Sequence, residues 1–82
     1  MFINKTSDGK NNICGKQVAQ LRKRMTPKVS QRALAEMLQV AGLDIDKNAI
    51  QRIESGQRFV TDIELMALAH DLNVDVKDLL QN

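Results

Sequence analysis

Lys47, Asn48, Gln51 and Arg52, with Ser55 a turn further on, are the residues of this sequence whose types and spacing suit recognition chemistry. At 100° per residue they share one side of a helical segment, while Ala49, Ile50 and Ile53 occupy the other. Lys and Arg donate to guanine edges or to phosphates, and the amides of Asn and Gln match the donor and acceptor pair of adenine. No acid interrupts this face, since Glu54 lies on its flank. The set therefore suits the major groove of duplex DNA. A solvated polar face is the bland reading of the same residues, and the neighbouring elements must decide between the two.

Other chemistries are poorly supplied. One Cys cannot close an intramolecular disulfide, and one Cys with one His cannot build a closed zinc site, so no metal or cofactor is expected and a reducing, cytoplasmic setting fits. Two Phe with no Trp or Tyr leave few platforms for stacking single-stranded bases. No nucleophile set, metal set or phosphate loop is present, which argues against an enzyme. Cys14 reads as a small buried hydrophobe. His70 lies near Ile63 and Met66 on a secondary face of its helix and reads as a packing or interface histidine. Ile63, Met66 and Leu80 are also candidates for a dimer patch.

The elements that must position the polar face are legible as helices. The chain has 82 residues, a length for one domain. Residues 1–12 lack periodicity and read as a flexible arm ahead of a domain over 13–82. Cys14, Val18, Leu21 and Met25 form the stripe of a first helix, which Thr26-Pro27 breaks. Ser30 caps a second helix with Leu34, Leu38 and Ala41 on its inner face and Gly42 at its end. Asp46, preferred to Asp44, caps the third, which ends at Ser55-Gly56. Thr61 and Glu64 spell a capping box for a fourth helix, with Val60 and Leu65 as its hydrophobic staple. Asn73 ends that helix, and Asp75 opens a short fifth one whose apolar contact is Leu79-Leu80. No alternation long enough for a strand is present, and no apolar run approaches the length of a membrane span. The expected architecture is all-α, five short helices in one globule.

Charge supports this reading. Residues 1–58 hold eleven Lys and Arg against five acids, whereas residues 59–82 hold one against five, within a net charge of +2. The amino-terminal portion is thus suited to an anionic partner. A capped helix followed after a Gly-containing turn by a polar-faced helix is the helix-turn-helix order, in which the second helix lies in the groove. The start of helix 2 offers free amides to phosphate, with Gln31 and Arg32 beside it, and Gln57 and Arg58 stand past the end of helix 3.

From about Ile13 to Leu80 the chain resembles the phage repressor and Cro type of helix-turn-helix domain, the XRE family with its lambda-repressor-like fold. The residues that carry the resemblance are Gly15-Lys16, Leu21-Arg22, Ser30-Gln31, Leu34-Ala35, the run Ile50-Gln51-Arg52-Ile53-Glu54-Ser55-Gly56, and Asp75 to Leu80. The resemblance implies a cytoplasmic, usually dimeric, bacterial or phage transcription regulator, with repression as the expected action. It implies base contacts from Lys47, Asn48, Gln51 and Arg52, and phosphate contacts from Gln31 and the segment Ser55 to Arg58. It also implies a structural ion pair, here Arg24 with Glu54. Leu38 to Asp46 is longer than the family's usual turn, and Leu43 or Ile45 is expected to plug it into the core. The alternative function is a protein-interaction module, as an antitoxin binds its toxin.

Overall fold

The computed structural model describes residues 9–81, and the greater part of the expected arm, residues 1–8, lies outside them. Five helices follow in order: α1 Gly15–Arg24, α2 Gln31–Val40, α3 Lys47–Glu54, α4 Asp62–Asp71 and α5 Val76–Leu79. Among the described residues there is no strand. The core is one cluster to which every helix contributes: Val18 from α1, Leu34, Ala35 and Leu38 from α2, Ala49, Ile50 and Ile53 from α3, Leu68 and Ala69 from α4, and Leu79 from α5. α2 and α4 pack against each other, α3 rests on both α1 and α2, and α5 closes against α1 and α4.

The caps fix the helix starts. Ser30 Oγ accepts from the Ala33 amide at 3.0 Å, and Asp46 Oδ1 accepts from the Ala49 amide at 2.8 Å. Asp44 is exposed and plays no part in that cap. The Thr61 and Glu64 box is complete, with Glu64 Oε1 accepting from the Thr61 amide at 3.0 Å and Thr61 Oγ1 from the Glu64 amide at 3.2 Å. At α5 the Asp78 carboxylate accepts from the Asp75 amide. Asn73 ends α4 with φ of 58°, as its amide side chain tolerates.

Two expectations shift in detail, and a third is met. α2 stops at Val40, so Ala41 is a solvent-exposed cap and Ala35 takes the inner position assigned to it. Leu80 is half-exposed, whereas in α5 Leu79 is fully buried and Val76 packs partly buried against the core. The long α2–α3 connection is closed by Ile45, which is fully buried, while Gln39 Nε2 donates to the Ile45 carbonyl at 2.9 Å. Leu43 is partly buried against the same core. The connection is thus anchored in the core by an apolar residue immediately before the α3 cap.

Candidate nucleic-acid interface

α3 presents what the sequence promised. Lys47, Asn48, Gln51 and Arg52 are all exposed, and Ala49, Ile50 and Ile53 beneath them are buried. An eight-residue helix is too short to hold its position by propensity, so its orientation depends on what grips it. Asp46 and Ile45 hold its start. Its end is gripped from three directions.

The first grip is ionic. Glu54 accepts from Arg22 Nε at 2.7 Å and from Arg22 Nη2 at 3.0 Å, and the two side chains are only 9% and 11% exposed. Arg22 Nη1 also donates to the Val29 carbonyl, and Gln31 Nε2 donates to Glu54 Oε1, each at 3.0 Å. One carboxylate therefore ties together α1, the loop after it, the first residue of α2 and the last residue of α3. This corrects the expected pair: the partner of Glu54 is Arg22, not Arg24. Arg22 stands four residues after the buried Val18, on the same inward face, whereas two residues further on the helix has turned 200° and Arg24 faces solvent. The register was available in the sequence, because Val18 belongs to the apolar stripe.

The second grip comes from the segment before α1. Asn12 Nδ2 donates to the carbonyls of Ile53 at 3.1 Å and Arg58 at 2.7 Å, while Asn12 Oδ1 accepts from the Gly15 amide at 2.8 Å. Asn11 adds its own amide to the Gly56 carbonyl and its side chain to the Gln57 carbonyl, each at 2.8 Å. The last residues assigned to the arm are thus bonded to the end of α3. Gly15 makes the approach possible, since any Cβ there would collide with the Ile53 carbonyl. Asn12 was missed because nothing about an Asn before an apolar stripe, beyond its fitness as a cap, reveals a partner some forty residues away.

The third grip folds the following turn back. The Arg52 carbonyl accepts from the amides of Gln57 and Arg58 and from Ser55 Oγ. Gly56 takes φ of +82°, a left-handed conformation natural to glycine. Ser55 and Gln57 are exposed there. Arg58 instead meets Glu64 bidentately, with both N–O distances 3.0 Å. Hydrogen bonding to Arg58 holds the Glu64 carboxyl below its ordinary value, and the same bond raises the already high value of Arg58. At the other edge, Gln31 is committed to Glu54, and Arg32 is exposed beside Glu36 at 3.7 Å, a pair too solvated to immobilise it. The candidate interface is therefore a row of exposed polar side chains on α3, flanked by the start of α2 and the turn at residues 55–58.

Cys14 is buried, and burial raises its thiol above the ordinary value, which keeps it protonated and unreactive. His70 is exposed beside Asp71, with Ile63 and Met66 uncovered on the same helix. Among the described residues no helix is long and apolar enough to cross a membrane.

A family model described as helix-turn-helix matches residues 18–79. The fold is similar to that of the restriction-modification controller protein C.AhdI from Aeromonas hydrophila, with a TM-score of 0.65 and 29% identity, covering 80% of this chain and 86% of that one. Comparison with curated proteins gave no match.

Proposed function

Because the chain belongs to the XRE-type helix-turn-helix family and is a DNA-binding transcription regulator, we propose that it reads duplex DNA by laying α3 in the major groove. The observation that carries this reading is the exposed face of Lys47, Asn48, Gln51 and Arg52, free of acids, on a helix gripped at both ends. Base-edge contacts are assigned to those four residues. Positioning on the phosphates is assigned to the start of α2, with the Gln31 backbone and Arg32, and to Ser55 and Gln57 in the turn. Arg58 joins them only by exchanging Glu64 for a phosphate.

Repression is the proposed action, since a domain seated in the groove blocks competing proteins without a further surface. Dimerisation is assigned to α4, where Ile63 and Met66, three residues apart, are 67% and 65% exposed.

The test is selection of the purified protein on a random duplex library at moderate salt, followed by sequencing of the retained pool. The expected result is a two-fold symmetric site whose half-sites lie about one helical turn, or a multiple of it, apart. A pool that stays random removes base reading by α3 and favours the protein-partner role.

A further inference from the structure

We propose that Glu64 limits duplex affinity by holding the Arg58 guanidinium away from the phosphates. The inference rests on the DNA-binding orientation proposed above and names the residue that sets the strength of one edge of it. Arg58 stands in the turn after α3, beside Ser55 and Gln57, and its backbone is tied on both sides. Its amide donates to the Arg52 carbonyl at 3.2 Å, and its carbonyl accepts from Asn12 Nδ2 at 2.7 Å. Only the side chain is left to change partners. At present Nη1 donates to Glu64 Oε1 and Nη2 to Glu64 Oε2, each at 3.0 Å, and Nη1 also donates to the Phe59 carbonyl at 3.2 Å. The two terminal nitrogens form a fork with which an arginine grips a phosphate, and here both face a carboxylate.

The carboxylate is the fixed member of this pair. Glu64 is the third residue of α4, and its Oε1 also accepts from the Thr61 amide at 3.0 Å. Its side chain is 14% exposed, against 29% for Arg58. Glu64 cannot follow the guanidinium outward without opening the capping box, so a phosphate has to compete with it for Arg58. The pair itself is neutral. Arg58 therefore adds no net charge to this edge of α3 while Glu64 is ionised, and the competition weakens binding to every duplex without reading sequence.

Salt-dependent duplex binding by Glu64→Gln tests this. Glutamine keeps the box, because its amide oxygen still accepts from the Thr61 amide, but its nitrogen then faces Arg58 Nη2, where two donors cannot bond. Arg58 is released, and one more phosphate neutralised contributes about 0.9 to the slope of log affinity against log salt. Glu64→Gln should bind any duplex more tightly than the native protein, with an advantage about 3.5-fold larger at 50 than at 200 mM salt, although its urea midpoint falls. A merely structural role would lower both affinity and midpoint. Arg58→Gln added to Glu64→Gln should abolish the gain in slope. Asp62→Asn, which removes the same charge from the exposed first residue of α4, should not produce it. Unchanged or weaker binding by Glu64→Gln, beside a native protein that binds duplex, would overturn the inference and leave the DNA reading standing. A gain matched by Asp62→Asn, or kept by the double variant, would do the same. Absence of duplex binding by the native protein and Glu64→Gln alike would overturn both.

Discussion

The Glu54 carboxylate is nearly buried and accepts from two guanidinium nitrogens and an amide, so its charge is tolerable only while those donors are present. Arg22→Ala strands it and should cost about 3–5 kcal/mol in urea unfolding. Arg24→Ala, on the exposed face, should stay within about 0.5 kcal/mol. A reversed ranking would show that the pairing is wrong. Arg52 poses a different question, because its side chain is exposed and its carbonyl alone is structural. Arg52→Ala should leave stability nearly unchanged, cost about 1–3 kcal/mol in binding and relax selectivity at one base position. Uniform weakening on all duplexes would instead assign Arg52 to phosphate.

Among the elements, α3 depends most on its cap. Asp46→Ala removes the bond to the Ala49 amide and should cost about 1 kcal/mol in stability. Its first turn carries Lys47 and Asn48, so binding should suffer beyond what the stability loss explains. Asp44→Ala should do neither, as measured by urea midpoint and operator affinity. α4 gives the pH test. Glu64 caps its first turn and pairs with Arg58, and its pKa in the fold is lower than when unfolded. A carboxyl shifted in that direction stabilises the fold fully above its unfolded value, and the contribution fades as pH falls through that range toward the folded value. Glu64→Gln should therefore cost about 1 kcal/mol near neutrality, and the gap from the native protein should close in acid. A gap that persists unchanged at low pH would trace the loss to shape rather than charge.

For the molecule as a whole, the basic and acidic residues are concentrated in different portions of the chain. Residues through the turn after α3 carry the basic excess and the exposed donors, whereas the acidic excess lies in α4, α5 and their flanks. The uncovered pair Ile63 and Met66 lies on the acidic side, away from the α3 row in sequence and on a different helix. If a second copy covers it, Ile63→Asp should convert a dimer into a 9.2 kDa monomer in sedimentation equilibrium. Affinity for a symmetric two-half-site duplex should then drop toward that for a single half-site, because two linked readers bind far more tightly than one. A native protein that sediments as a monomer at every concentration would remove this role from α4.

The sequence by itself determined the helices and the residues that face outward from α3. Those signals are local: an apolar residue every three or four positions, an oxygen-bearing side chain before each helix from α2 to α5, and a glycine or asparagine where the chain must turn left-handed. Thr61 with Glu64 and Asp46 with Ala49 lie within one helical turn, so composition and spacing suffice to find them. What grips α3 was decided by tertiary structure. Asn12 meets Ile53 and Arg58, Arg22 meets Glu54, and Gln31 is drawn to the same carboxylate, across separations of 23 to 46 residues. Periodicity says which way a side chain points on its own helix, but the partner it finds depends on how the helices cross. That crossing is set by the buried packing of all five.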